Sequence, residues 1–503
     1  MKNLKQFALI AGKLGVAAAF GLGLAACSVG PDFKTPELPA AAKDNPYTPT
    51  PVPPQTAATD GAAGVAQHYA PGQDIPQLWW SAFHSAALDR LIRAALAQNP
   101  NLAAAEAALR QATENYSAQR ASLLVPDVSG QLGASRQRAT AQSSGIPGGA
   151  VYSLYNASVN VSYTFDVFGA SRRTLEGYAA AVDYQRFQLE ATYLALTTNL
   201  VTTAIQEASL RAQLQATREV IGLLKKQLYV IEKQYEFGAI ARATLLTQRN
   251  QLAQAAAALP PLEKALAQTR HQLSVFAGKF PGEPGMPEFQ LASLQLPQQL
   301  PLSLPSALVR QRPDIRASEA LLHEASAQIG VASANLYPQF KLSADYGSAS
   351  TGLRDLFGSG SVLWGLTAGL TQPIFDGGAL SARRRAALAA YEQAGAQYQA
   401  TLLIAFQNVA DSLRALDSDA TTLKAQAEVD SLAAESLALV TRQYGLGAVS
   451  YLALLDAQRT YQQAHVSLVQ AQAARYADTA ALFQALGGGW WNRAAAPDRA
   501  LKN

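Results

Sequence analysis

The chain of 503 residues writes one passage twice. "NPNLAAAEAALRQA" from Asn99 is echoed by "RPDIRASEALLHEA" from Arg312. "VSYTFDVFGASRR" from Val161 is echoed by "LTQPIFDGGALSARR" from Leu370, and "FGAIARATLLTQRNQL" from Phe237 by "LGAVSYLALLDAQRTY" from Leu446. The three matches keep their order and lie about 210 residues apart. Solenoid repeats recur every 20–50 residues or so. This period therefore marks a duplicated half of a domain, and what one half builds the other must build too.

Each half opens on a helical pattern, Leu102 to Leu124 and Ile315 to Leu336, closed by Pro126 or Pro338. A short amphipathic helix over Ala87 to Gln98 precedes the first, stopped by Asn99-Pro100. Strand patterns follow. Tyr155, Ala157, Val159, Val161, Tyr163 and Phe165 alternate with polar neighbours, and Trp364, Leu366, Ala368 and Leu370 alternate with Gly or Thr. "FKLSADYG" from Phe340 alternates as well, and "DVSGQLGAS" from Asp127 more weakly. Gly/Ser-rich loops near 143–150 and 351–361 join them into hairpins. Strands of about 10–12 residues with aromatics near their ends match tilted strands crossing a bilayer. From alternation alone, a soluble sheet with one wet face fits equally well.

Long helices come next. No proline or turn cluster interrupts Ser171 to Tyr235 or Ala379 to Tyr444. Return partners run over Ala243–Ala277 and Ser450–Leu486. Leu245, Leu252, Leu259, Leu266 and Leu273 keep heptad spacing, as do Leu402, Val409, Leu416 and Leu423, which predicts coiled-coil packing. Pro260-Pro261 must break or kink the first return helix. The repeated "GA" passages then lie at the turns of two helical hairpins, the ends remote from the strands. Gly238 and Gly447 sit where a left-handed cap is needed.

Charged residues make up 15% and mean hydropathy is +0.00, which excludes a helical membrane bundle and a disordered acidic tail. Without the three lysines of the leader the net charge falls from +4 to +1, so nothing points to nucleic acid. His68, His84, His271, His323 and His465 are scattered without metal spacing. No phosphate loop, dinucleotide turn or nucleophile elbow is present. The chain reads as a non-enzyme with no metal and no soluble cofactor.

Its single cysteine, Cys27, ends "MKNLKQFALIAGKLGVAAAFGLGLAAC". That is a secretory signal closing on a lipobox, Leu24 to Cys27. The expectation is a diacylglycerol and an N-acyl chain on Cys27, anchoring the chain to a membrane. A Pro/Ala-rich stretch from Ser28 to about Gln77 is expected as an extended tether. The expected organisation is signal 1–26, lipidated tether 27–77, first repeat start 78–125, strand hairpin 126–167, long helical hairpin 168–280 and connector 281–311. The second repeat then runs as helix 312–337, strand hairpin 338–376 and helical hairpin 377–489, with a tail at 490–503. Four strands cannot close a membrane barrel, and open edges are not tolerated in lipid. Spanning strands therefore demand several chains: two would give a filled eight-stranded barrel, three a twelve-stranded barrel with a wet lumen.

The chain resembles the TolC-like outer membrane efflux proteins, above all their OprM/NodT-type lipoprotein branch. The residues carrying the resemblance are "CSVGPDF" at Cys27, "LWWSAF" at Leu78, "FDVFG" at Phe165, "RPDIRASEALLHEASAQIGVASANLYPQF" at Arg312, "QPIFDGG" at Gln372, "YLALLDAQR" at Tyr451 and "ALGGGW" at Ala485. They span nearly the whole chain. The resemblance implies a mainly α fold with transmembrane β: a homotrimer whose twelve-stranded barrel continues into a periplasmic α-helical barrel. It implies lipid-anchored residence in the outer membrane, extending into the periplasm. It further implies the exit duct of a tripartite pump, fed through a periplasmic membrane-fusion adaptor by an inner-membrane transporter of RND or MFS type. A structural envelope-spanning lipoprotein and the outer-membrane component of a type I secretion system are the alternatives. By motif position Leu452 and Asp456 match constriction residues, and Arg459 is placed to pair with a carboxylate and hold the closed state. Gly238, Ala239, Gly447 and Ala448 would form a small-residue surface for the adaptor. Ala453 and Val449 are apolar where some members carry charge, and in the first copy the acidic position is Thr244. A gate of one acidic ring and one hydrophobic ring is therefore expected.

Overall fold

The computed structural model describes residues 28–38, 47–140, 142, 147 and 149–493. Cys27 and the leader lie outside the described residues. In chain order the first elements are β1 (His68–Pro71), α1 (Ala86–Gln98), α2 (Pro100–Leu124), β2 (Asp127–Ala139) and β3 (Ala150–Phe165). The first helical hairpin follows as α3 (Ala170–Glu236), α4 (Arg242–Ala257) and α5 (Leu259–Phe276). Then come β4 (Gln299–Leu302), α6 (Pro305–Gln311), α7 (Pro313–Ala334), β5 (Gln339–Ser350), β6 (Val362–Thr371), α8 (Ala379–Gly445) and α9 (Tyr451–Ala485). The duplication is exact in one respect: α3 and α8 are each 67 residues long.

Local chemistry sets these boundaries. Asn99 stops α1 and caps α2, its Oδ1 accepting from the N–H of Asn101 (2.9 Å) and of Leu102 (3.3 Å), with Pro100 in the first position where no N–H is needed. Asp166 caps α3, accepting from the N–H groups of Ser171 and Arg172 at 2.9 Å. Its repeat partner Asp376 caps α8, accepting from Gly378 (2.8 Å) and Leu380 (2.7 Å). These backbone hydrogen bonds hold the Asp376 carboxyl below the usual range. Pro260-Pro261 breaks the return helix rather than kinking it: α4 ends at Ala257, and both prolines fall in the first turn of α5.

The chain divides into two compact units. The first gathers 108–186 and 317–399 with the stretch up to Pro36. It holds an antiparallel sheet in the order β2-β3-β5-β6. The register carries one apolar face across all four strands. Val161 lies opposite Val128 and Ala344, and Ala344 opposite Leu366. Val159 lies opposite Tyr346, which faces Trp364; Phe165 lies opposite Phe340, which faces Leu370. The other face carries Asn156, Ser158, Asn160, Ser162 and Thr164, with Ser343, Asp345 and Thr367 among their neighbours. Trp364 is 75% exposed, and Leu132, Tyr346 and Leu366 are exposed with it. From the Tyr346 row to the Phe340 row is about 20 Å of strand. Strands β2 and β6 each keep one free edge.

The same unit seats the stretch just after Cys27. Val29 donates its N–H to the Phe168 carbonyl at 3.1 Å, and Arg173 donates to Asp32 at 2.6 Å. The Phe33 ring stacks on His323, centroids 4.2 Å apart. A side chain on Gly30 would fall 2.5 Å from the Gly330 Cα, so only paired glycines allow this approach.

The second unit gathers 37–107, 187–316 and 400–503. Trp79, Trp80, Phe83, Ile92, Tyr476 and Phe483 are almost fully buried in its core. The heptad residues Leu402, Val409, Leu416 and Leu423 are all buried. Part of the stretch expected as a tether is packed here. β1 pairs in parallel with β4, and Thr56, Ala63 and Gln67 are buried. The pattern hid this because the interactions holding it come from far along the chain: Arg475 donates to the carbonyls of Ala63 (2.6 Å) and Val65 (2.7 Å) and to Thr56 Oγ1 (2.8 Å).

Candidate functional site: the paired helical turns

Both repeated turns close in the same way. Gly238 (φ +70°) donates to the Tyr235 carbonyl and Ala239 to the Gln234 carbonyl, at 2.9 and 2.8 Å. Gly447 (φ +74°) donates to Tyr444 and Ala448 to Gln443, at 3.0 and 2.9 Å. This is the paired reverse hydrogen bonding of a glycine-capped helix end, and the left-handed φ is the reason for glycine. Gly238, Ala239, Gly447 and Ala448 are all exposed.

The second turn is the better braced. The Ser450 hydroxyl accepts from Ala453 N–H at 3.3 Å, while Ala241 at the matching place offers no side-chain cap. Tyr444 and Tyr451 pack across the turn, ring centroids 5.7 Å apart. Burial pushes both hydroxyls up.

Leu452 is 69% exposed in the single chain, whereas Leu454 and Leu455 point into the hairpin and are buried. Asp456 and Arg459 approach to 3.8 Å on consecutive turns, side chains 72% and 76% exposed. An ion pair that open to water contributes little to stability. Asp456 also lies beyond the first turn of α9, where the helix dipole no longer favours a carboxylate. Helix-end electrostatics therefore do not explain it. Counted from the capping glycines, Thr247 stands opposite Asp456 in the repeat and Thr244 opposite Ala453. Thr247 turns its hydroxyl back to the Ala243 carbonyl at 3.0 Å.

The two hairpins meet close behind the turns. Gln458 Nε2 donates to Gln227 Oε1 at 2.6 Å. Beside this bond lies a cavity of about 140 Å³ lined by Val220, Leu224, Ala255, Gln458, Arg459 and Gln462. Arg459 thus belongs both to the Asp456 pair and to the seam between hairpins. Sequence reasoning missed Phe237 and Leu446, each directly before a capping glycine and 84% and 78% exposed. The signal was present: a large apolar residue at the same place in both copies, where a solvated turn has no use for one.

Among the described residues no cluster of His, Cys, Asp or Glu could hold a metal ion. Among them, too, no helix is long and apolar enough to cross a membrane.

The sequence profile of the family described as "Outer membrane efflux protein" matches residues 91–279 and 304–488, one stretch in each half. The toluene efflux pump outer membrane protein TtgC of Pseudomonas putida is 31% identical over 481 residues, covering 94% of this chain and 95% of TtgC. The pyoverdine export outer membrane protein OpmQ of Pseudomonas aeruginosa is 32% identical over 457 residues, 88% of this chain and 94% of OpmQ. Among solved structures, the outer-membrane channel OprN superposes with a TM-score of 0.82 at 25% identity, over 92% of this chain and all of OprN. The MtrE outer membrane channel of Neisseria gonorrhoeae superposes with a TM-score of 0.76 at 25% identity, over 92% of this chain and 99% of MtrE. None of these four is described as an enzyme. A duplicated, mostly helical chain with one four-stranded sheet, matched in both halves and over nearly its full length, belongs to the outer membrane efflux protein family and forms an efflux duct of the outer membrane.

Proposed function

We propose that three copies assemble into a conduit: a twelve-stranded barrel in the outer membrane continued by a periplasmic barrel of helices, gated at the paired turns. The observation carrying this is an unmatched half. By the repeat, α7 is the copy of α2 and α8 the copy of α3. Inside the first unit α7 packs on α3, where Gly177 lets Ala327 and Gln328 approach. The corresponding pair, α2 and α8, is largely exposed. Only Leu102 of α2 is buried, and no residue of α8 from Ala379 to Gln397 is buried. If α8 of one copy packs on α2 of the next, the contact is head-to-tail and closes a ring. The same step pairs the free edge of β6 with that of β2 in the next copy, which lipid requires. Three copies leave a lumen, whereas two would fill it. The exposed apolar face then meets lipid.

Three Leu452 side chains form a ring that excludes water, and three Asp456 carboxylates a ring that favours cations over anions. Arg459 holds Asp456 in the closed state. The exposed Phe237 and Leu446, with the Gly-Ala pairs after them, offer a surface to the helical hairpin of a periplasmic membrane-fusion adaptor, itself served by an inner-membrane transporter of RND or MFS type. Cargo is small organic molecules. TtgC is named for toluene and OpmQ for pyoverdine, compounds so unlike that a duct of this kind cannot select by shape. Cys27 carries the lipid anchor, and the residues after it, Val29 to Phe33, are seated against Phe168, Arg173 and His323.

Native mass spectrometry of the detergent-solubilised protein tests the assembly. The expected species holds three chains, each with three acyl chains on Cys27. A single chain or a dimer overturns the ring, and an unmodified N-terminus overturns the anchor independently.

A further inference from the structure

The loop end of the first strand hairpin carries charge that neither the duct nor the gate uses. By the register, Val128, Leu132, Arg136 and Arg138 of β2 share one face, the apolar one. On the neighbouring β3 that face runs from Phe165, whose ring meets Tyr163 edge-on at 5.2 Å, to Tyr155. The span is about 33 Å of strand, or about 25 Å of height at the tilt usual in a membrane barrel. It matches the apolar band of such barrels, with aromatic rings at both ends. Tyr155 lies opposite Ala134, and the next places on this face are Arg136, opposite Ser153, and Arg138, opposite Val151. Both arginines are exposed, and neither has an ion pair or hydrogen bond among the described residues. The strand is fixed from its other face, where Gln137 donates to the Tyr152 hydroxyl at 2.7 Å. Two guanidinium groups therefore stand just beyond the apolar band, at the end remote from α2 and α3.

The repeat supplies a comparison. Counted from Pro126 and Pro338, Arg136 corresponds to Ser348 and Arg138 to Ser350. Both serines lie on the same face of β5. A strand end that had only to reach water is served by serine, so the arginines of the first copy answer to something else. We propose that Arg136 and Arg138 bind the phosphorylated head group of a lipid in the outer leaflet, its acyl chains lying along the apolar face below. The inference rests on that face meeting lipid, as proposed above. The helices lead into the periplasm, so the loop end of the hairpin faces outward. A guanidinium offers parallel N–H donors that match phosphate oxygens. Two of them on one side of a strand, about 7 Å apart along it, grip a phosphate from two sides. Leu132, 83% exposed, gives the first carbons of the chain an apolar contact. Each chain then carries one such site, on its first hairpin.

Native mass spectrometry of the full-length protein in a non-ionic detergent, titrated with lipid A bearing two phosphates, tests the site. One lipid per chain should bind. Arg136→Ser/Arg138→Ser, which writes the second copy's residues into the first, should weaken binding at least about tenfold. Lipid A stripped of its phosphates should bind the natural chain and this variant alike. Ser348→Arg/Ser350→Arg should add a second lipid per chain, and this gain decides the matter if the first variant misfolds. Equal affinity of the natural chain and a folded loss variant, or no added lipid on a folded gain variant, overturns the proposal. Displacement of the lipid by an equal concentration of inorganic phosphate overturns the lipid as its occupant. Insertion into vesicles of phosphatidylcholine alone separates this site from the reading beneath it. A chain that inserts yet does not distinguish phosphorylated from stripped lipid A refutes the site only, whereas a chain that does not insert refutes the membrane face as well.

Discussion

Gln458 and Gln227 join the two helical hairpins through a single amide–amide hydrogen bond of 2.6 Å, eleven residues from either capping glycine. Farther along, Gln470 donates to Gln213 at 3.3 Å. Both bonds are uncharged, and the strength of the seam near the turns rests on one of them, beside a cavity. Replacing Gln227 by Ala should cost about 1 kcal/mol. It should also loosen the turns, raising sensitivity of the cells to large antibiotics at equal expression. Unchanged sensitivity would remove this bond from the closed state.

Glu207 is fully buried and accepts from Arg211, from Arg270 at 3.0 Å and from the Phe289 N–H at 2.9 Å. It fastens the connector after α5 to α3. Removing one partner of a buried ion pair typically costs about 3–5 kcal/mol. Glu207→Ala should therefore lower the thermal midpoint sharply, and Glu207→Gln, which keeps an acceptor, should fall between. Equal midpoints for all three chains would show the cluster to be solvated.

Gly238 and Gly447 should resist substitution on conformational grounds alone, since a side chain at either meets open space. A left-handed φ costs a residue with a Cβ about 1–2 kcal/mol. Gly447→Ala should thus destabilise the second turn, seen as faster amide exchange at Gly447 and Ala448. The same substitution at the half-buried, negative-φ Gly222, where a side chain also meets open space, supplies the control, with little change expected.

The α8 cap should fail in acid. The Asp376 carboxyl is held below its ordinary value by the N–H groups it accepts from. Such a group stabilises above its unfolded pKa, and the contribution is lost as pH falls through the folded value. Fraying of the first turn of α8 should therefore appear below about pH 4, and Asp376→Asn should flatten that profile. An identical acid profile in the variant would assign the fraying elsewhere.

Much of the fold was legible because the duplication supplied each reading twice. Alternation over Tyr155–Phe165 gave the apolar face, uninterrupted proline-free runs gave α3 and α8 to within a residue or two, and heptads at Leu402 to Leu423 gave a buried seam. The glycine caps were legible for the same reason. What escaped depends on partners distant in the chain. β1 and β4 pair across about 230 residues, and their short segments carry no period. Arg475 reads as a solvated helix residue until the carbonyls of Ala63 and Val65 are found beneath it.

The central claim is a conduit closed at Leu452 and Asp456, and single-channel recording in planar bilayers addresses it most directly. The natural protein should show small, infrequent currents, and the double variant Leu452→Ala/Asp456→Ala should conduct steadily with reduced preference for cations. A variant that inserts into the bilayer yet remains as silent as the natural protein would contradict the gate, and the absence of any channel from either would contradict the duct.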